Sequence, residues 1–220
     1  MTLIKFCGLT RSEDVRTAVR LGVDFLGLNF VPTSPRFVEL PRAVHLCQVA
    51  REEAGHIMGL PVPKLVGIFA GEDAGTMTSM AARCGLDCVQ VYGAVGAGSC
   101  EWQSELDSGL GLAVIRAWQL RPGEPLPEVG GESVWAHLVD AFDPQRLGGS
   151  GQVCDWSVAA ALARQCRLFL AGGLRPENVA EAIRAVAPFA VDVASGIETR
   201  PGIKDVELMR RFVEEVRGSS

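Results

Sequence analysis

Short runs of apolar residues alternate with segments of helical period from one end of the chain to the other. The runs cover residues 3–7, 25–30, 65–70, 88–92, 113–118, 134–140, 168–171 and 191–194. Most are apolar at consecutive positions, as parallel strands covered on both faces are. Between them the spacing turns helical. Thr10-Arg11-Ser12-Glu13 reads as a capping box, and Val15, Ala18, Val19 and Gly22 then fall on one face. Residues 73–84 read as a helix closed by Gly85. Pro176 suits a first helical turn ahead of Val179, Ala182, Ile183 and Val186. A last helix starts at about Asp205 and carries Met209, Phe212, Val213 and Val216 on one face. The fourth and fifth helices have the weakest pattern, because 93–111 is rich in Gly and Ser.

Eight strand–helix units in 220 residues fit an α/β chain folded as one (β/α)8 TIM barrel, a single domain over residues 1–220. An open doubly wound sheet is the competitor, and eight successive units favour closure. A weak internal repeat agrees. Gly8-Leu9 with Glu13-Asp14-Val15 and Ala18-Val19-Arg20 is echoed by Gly173-Leu174 with Glu177-Asn178-Val179 and Ala182-Ile183-Arg184. Residues 51–64 and the Pro- and Gly-rich 121–133 read as surface loops.

Charge narrows the function classes. With 26 acidic and 21 basic residues the net charge is −5, which argues against a nucleic-acid or membrane-surface binder. No apolar run approaches the ~20 residues of a membrane span, and the start lacks a secretory pattern. Seven cysteines without a CxxC pair suggest neither a disulfide frame nor a zinc site, so a reduced, cytoplasmic location is expected. Three histidines argue against a His-rich metal centre.

Barrel active sites lie where the strands end. Here Cys7, Asn29, Gln90 with Tyr92, Arg116, Asp140 and Asp192 interrupt the apolar runs of six strands, a ring of polar groups around one mouth. Alternation puts Cys7, Lys5 and Leu3 inside and Ile4 and Phe6 towards the helices; Asp140 inside puts His137 outside, as a core histidine. Gly172-Gly173 ends the seventh strand just before a helix, and Ser195-Gly196 ends the eighth. Each pair alone is an ordinary tight turn. Together, after strands seven and eight, they form a phosphate cradle, so a phosphorylated small molecule is the expected substrate.

Several residues stay open on this reading. Cys7 is either a small buried hydrophobe or a reactive thiol beside Lys5. Arg36 is either a solvated loop cation or a ligand group held by Pro32 and Pro35. Asp192 is a mouth residue or the partner of Lys5 across neighbouring strands. Gly148-Gly149-Ser150-Gly151 is a lid or simply a floppy loop.

The motifs resemble those of the phosphoribosylanthranilate isomerases of tryptophan biosynthesis, over nearly the whole chain. They include Lys5-Phe6-Cys7-Gly8, Pro32-Thr33-Ser34-Pro35-Arg36, Gln90-Val91-Tyr92-Gly93, Val139-Asp140, Ala171-Gly172-Gly173-Leu174, Asp192-Val193-Ala194-Ser195-Gly196-Ile197-Glu198 and Pro201-Gly202 with Lys204-Asp205. The resemblance implies the barrel, no cofactor and no metal, and an Amadori rearrangement of N-(5'-phosphoribosyl)anthranilate to the 1-(2-carboxyphenylamino)-1-deoxyribulose 5-phosphate. It implies Cys7 as general base, Asp140 as general acid and Arg36 as partner of the anthranilate carboxylate. Gly172, Gly173, Ser195 and Gly196 would hold the phosphate, with Tyr92, Lys5 and Asp192 also grouped around the substrate. Lys5 is expected to lower the thiol's pKa, and burial under substrate to raise that of the carboxyl.

The chain departs from the common pattern at Tyr92, where many members have His, at Gln152 for Lys, and at Ala194 for Ser. Tyr92 can hydrogen-bond and stack on an aromatic ring but does not titrate near neutrality. The alternatives are another phosphosugar isomerase or epimerase on the same barrel, or a catalytically idle binder of phosphoribosyl ligands. Monomer and homodimer both fit the sequence.

Overall fold

The computed structural model describes residues 1–57, 59, 62–93, 111–120, 134–141 and 156–219. Eight strands, β1 (Leu3–Phe6), β2 (Phe25–Asn29), β3 (Lys64–Ala70), β4 (Cys88–Tyr92), β5 (Ala113–Leu120), β6 (Ala136–Ala141), β7 (Leu168–Leu170) and β8 (Ala190–Val193), close into a barrel. Every neighbouring pair is parallel, and β1 pairs with β8 in the register Lys5 to Asp192. Six helices are described: α1 (Ser12–Arg20), α2 (Leu40–His56), α3 (Ala74–Cys84), α4 (Trp156–Ala163), α5 (Val179–Val186) and α6 (Val206–Gly218). A 3-10 turn (Ser195–Ile197) and the short antiparallel pair β9 (Glu198–Arg200) and β10 (Ile203–Lys204) lie between β8 and α6.

The strands form because both their faces are buried. Ile4, Phe6, Val89, Val91 and Val139 pack outward against α1, α3 and α6 residues such as Val15, Met77 and Phe212. Val66, Ile68, Ile115, Leu138 and Phe169 fill the inside. At the end where the strands begin, Trp135, Phe169 and Phe189 pack ring to edge, and Phe25 meets Phe169 at 5.1 Å. That aromatic plug closes one end and leaves polar groups to the other. Among the described residues no helix is long and apolar enough to cross a membrane.

Local expectations fare unevenly. The predicted closure of α3 by Gly85 forms, left-handed at φ 64°, and α6 starts next to Asp205 as expected. Both helices also gain side-chain caps that were not predicted, Asp73 accepting from the Thr76 N–H and Asp205 from the N–H groups of Glu207 and Leu208. The capping box at Thr10 does not. Helix α1 starts at Ser12 without a side-chain cap, because the Thr10 hydroxyl donates instead to the Gly202 carbonyl. Gly22 lies beyond the helix, in a turn. Pro176 also sits in a turn, and α5 begins only at Val179. Residues 51–56 are not loop but the last turns of α2, held by buried Glu53 pairing with Arg16 and Arg20 of α1. The predicted loop 121–133, the Gly148–Gly151 lid, Gln152 and most of 93–111 lie outside the described residues.

Candidate active site

At the C-terminal ends of the strands one cavity is lined by Cys7, Asn29, Arg36, Gln90, Tyr92, Asp140 and Asp192, together with Gly172, Gly173 and Ser195. It thus gathers the predicted ring, with one exception. Arg116 lies outside. Strand β5 runs on to Leu120, so position 116 is mid-strand and outward, where the guanidinium stacks 4.1 Å from the Trp118 ring. Trp118 Nε1 in turn donates to His137 Nδ1 at 3.1 Å. Burial and the Arg116 charge push His137 below the ordinary imidazole range, as befits a core histidine.

Of the residues that the resemblance groups around the substrate, Gly196 does not line the cavity, and neither does Lys5. Lys5 is fully buried one layer below the cavity wall, with Nζ 3.0 Å from Asp192 Oδ1. It supports the site from beneath and does not line it. Burial opposes its charge, yet Asp192 and Cys7 raise its pKa overall. Asp192 fills both of the roles left open for it, facing the cavity and pairing with Lys5.

The expected direction for Cys7 is corrected. Burial pushes the thiol up, and this outweighs the downward pull of Lys5, Lys204 and Arg36. Asp192 also opposes the thiolate and so offsets part of the pull of Lys5. Cys7 therefore rests as a thiol that keeps part of its surface open to the cavity.

Arg36 is buried to 5% exposure, held side-on by Glu198: Nε and Nη2 donate to Oε1 and Oε2 at 2.9 and 2.8 Å. Its stem lies over Gly8, whose φ is 69° and where a Cβ would come 2.3 Å from Arg36 Cδ. Lys204, also buried, donates to Glu198 Oε1 at 2.9 Å, to the Cys7 carbonyl at 2.6 Å and to the Ala194 carbonyl at 3.0 Å. Burial alone would raise the Glu198 pKa; the two cations hold it below the ordinary carboxylate range. Neither Glu198 nor Lys204 stands out in the sequence as a functional residue. The only signal is their place just after the eighth strand, in the Gly196-Ile197-Glu198 and Lys204-Asp205 motifs.

Across the mouth Asp140 is 3% exposed, and Tyr92 Oη donates to its Oδ2 over a long 3.5 Å. Burial, with the nearby acidic groups of Asp140, Cys7 and Asp192, raises the Tyr92 phenol well above its ordinary range, so it stays protonated. Gln90 is 1% exposed, and neither atom of its amide has a hydrogen-bond partner among the described residues. A buried amide left that way costs about 1–3 kcal/mol. In the cavity wall it offers one donor and one acceptor to a ligand.

The two glycine loops meet. Gly172 and Gly173 have φ of 85° and 62°, and Asn178 braces the turn, donating to the Gly173 carbonyl at 3.0 Å and accepting from the Arg175 N–H at 2.9 Å. Gly196 touches the same loop: a Cβ there would fall 1.9 Å from the Leu174 carbonyl oxygen. Only glycine permits that contact between the loops. Among the described residues no group of three or more His, Cys, Asp and Glu is placed to hold a metal.

Comparison with known proteins gives the arrangement a context. Residues 4–215 match the family model for N-(5'phosphoribosyl)anthranilate (PRA) isomerase. A relative from Citrifermentans bemidjiense named N-(5'-phosphoribosyl)anthranilate isomerase is 39% identical over 99% of this chain and 98% of its own. The crystal structure of phosphoribosyl anthranilate isomerase from Thermus thermophilus superposes with a TM-score of 0.82 at 30% identity, over the full length of both chains. An isomerase crystallised with reduced 1-(o-carboxyphenylamino)-1-deoxyribulose 5-phosphate gives 0.79 at 29% identity, over 99% of this chain and all of its own.

Proposed function

The chain belongs to the N-(5'-phosphoribosyl)anthranilate isomerase family, and on that footing we propose that Cys7 and Asp140 are the base and the acid of its reaction. The reaction is the aldose–ketose isomerisation of N-(5'-phosphoribosyl)anthranilate in tryptophan biosynthesis. One observation carries the assignment of roles. A thiol from the end of β1 and a carboxyl from β6 line a single cavity together with Gly172, Gly173 and Ser195 of the loops after β7 and β8.

The chemistry asks for that layout. In the ring-closed substrate the aniline nitrogen forms a C1–N double bond as the C1–O bond breaks, and the Asp140 carboxyl delivers a proton to the departing ring oxygen. Cys7 then removes the proton from C2, and its electron pair becomes the C1–C2 double bond of an enaminol. Loss of the O2 proton and protonation of C1 give the ketose, with no net gain or loss of atoms. Acid and base must reach different sides of one sugar, and β1 and β6 are separated by β7 and β8 around the barrel.

The substrate's ends are held separately. Backbone N–H groups around Gly172, Gly173, Ser195 and Gly196 bind the phosphate. Arg36 faces the anthranilate carboxylate, and Tyr92 and Gln90 line the same cavity. Asp192 fixes Lys5 under the base. We take the enzyme to be cytoplasmic, a monomer or homodimer that requires no metal or cofactor.

Freshly generated N-(5'-phosphoribosyl)anthranilate loses its fluorescence as it isomerises, so mixing it with the protein tests the proposal. Catalytic loss of the signal supports it. Binding without turnover would favour the idle-binder reading, and turnover of an unrelated phosphosugar alone would favour the other isomerases.

A further inference from the structure

Arg36 poses a problem of charge and aim. Its guanidinium is almost fully buried, and Glu198 already occupies one edge of it through two short hydrogen bonds. A guanidinium neutralised in this way is a poor partner for a second carboxylate unless another cation restores the balance. Lys204 does so: it is fully buried and shares Oε1 of the same Glu198. Burial lowers the Lys204 pKa and Glu198 opposes that fall; with Lys204 protonated the three groups together keep one net positive charge beside the cavity. By contrast, Lys5 is matched one to one by Asp192.

The geometry is as specific as the charge. Glu198 takes the Nε–Nη2 edge of Arg36, so of the five guanidinium donors the three on Nη1 and the outer side of Nη2 remain for a ligand. That outer edge is the one suited to receiving a carboxylate bidentately. Glu198 itself cannot drift. It also accepts from the Gly202 N–H at 3.2 Å, and Lys204 binds it to the carbonyls of Cys7 and Ala194. The orientation of Arg36 is thereby referred to the backbone of the proposed base and to the entry of the Ser195–Gly196 loop.

We propose that Glu198 is a positioning residue that aims the outer edge of Arg36 at the substrate's carboxylate, with Lys204 anchoring Glu198 to the ends of β1 and β8. The proposal rests on the reading of Arg36 as the carboxylate's partner. Glu198 does not touch the reacting atoms. Its effect is therefore selectivity for a carboxylate-bearing aromatic amine over one that lacks it.

The test compares kcat/KM for N-(5'-phosphoribosyl)anthranilate with that for the otherwise identical aniline adduct, product formation being followed by chromatography. The ratio of the two is measured for the wild type, Arg36→Met, Glu198→Gln and Glu198→Asp. Thermal melts and inhibition by inorganic phosphate report whether each variant keeps its fold and phosphate loops. Arg36→Met should bring the ratio close to one. Glu198→Gln should lower it at least tenfold while the aniline adduct's kcat/KM changes less than threefold. Glu198→Asp keeps the charge against Lys204 but is one methylene shorter, and it should lose most of the ratio too; it carries the comparison if the glutamine variant does not fold.

An unchanged ratio in folded Glu198 variants, or an equal loss for both substrates, overturns the proposal. If Arg36→Met also keeps the ratio, the reading of Arg36 falls with it. If only Arg36→Met loses the ratio, positioning by Glu198 alone is refuted.

Discussion

Replacing Gly196 by alanine brings a methyl carbon to 1.9 Å from the Leu174 carbonyl oxygen, 2.9 Å from its carbon and 3.1 Å from Arg175 Cα. All three obstacles are backbone, so no side-chain rotation relieves them. Contacts below 3.0 Å are essentially absent from real Cβ atoms, and the loop after β7 or the one after β8 must yield by about 1 Å. Both loops belong to the proposed phosphate cradle. Displacing a binding element by about 1 Å costs on the order of 10²-fold, or about 2.8 kcal/mol at ~1.4 kcal/mol per factor of ten. Strain of this kind also costs stability, typically about 1–3 kcal/mol. Steady-state kinetics by fluorescence should show KM raised about a hundredfold, with kcat falling much less. The inhibition constant of inorganic phosphate should weaken in parallel with KM. A folded Gly196→Ala enzyme whose KM and phosphate inhibition both stay within threefold of the wild type would refute the cradle.

The buried pair beneath the proposed base gives the next expectation. Asp192→Asn leaves the fully buried Lys5 ammonium without its counter-charge and should cost about 3–5 kcal/mol in urea unfolding at pH 7. In that variant burial disfavours the Lys5 charge uncompensated, the unfolded chain holds the extra proton, and stability should rise between pH 7 and pH 10; a flat profile would contradict the account. The raised Cys7 pKa has its own signature: if Cys7 is the base, its thiolate is the active form and is scarce at neutrality, so kcat/KM should climb about tenfold per pH unit from pH 7 towards the raised value. Lys5→Met removes a charge that favours the thiolate and should move this limb to higher pH. A plateau by neutral pH, or an unmoved limb in Lys5→Met, would discard that electrostatic account.

Much of the barrel was legible because its signal is local. A parallel strand buried on both faces writes itself as an unbroken apolar run, and the polar residue that ends the run marks the mouth. Cys7, Asp140 and Asp192 were found in that way. The same rule misplaced Arg116, since a polar residue in the outer layer interrupts a run without ending the strand; the aromatic shelf of Trp118 that accommodates it gives no local pattern. The capping box failed because Thr10 has a better partner in Gly202, a residue 192 positions away. Glu198 and Lys204 were overlooked for a similar reason. Their meaning comes from Arg36, 162 residues from Glu198, and from the Cys7 carbonyl, 197 residues from Lys204. The sign of the Cys7 shift was likewise invisible, since it depends on how completely the barrel removes the thiol from water.

The account stands most directly on the turnover of two single variants, Cys7→Ala and Asp140→Asn, measured beside the wild type. If one is the base and the other the acid, each should lower kcat by at least about 10²-fold, leave KM within a few-fold, and still be competitively inhibited by inorganic phosphate. Near wild-type turnover in either variant would contradict its assigned role, and in both would overturn the mechanism.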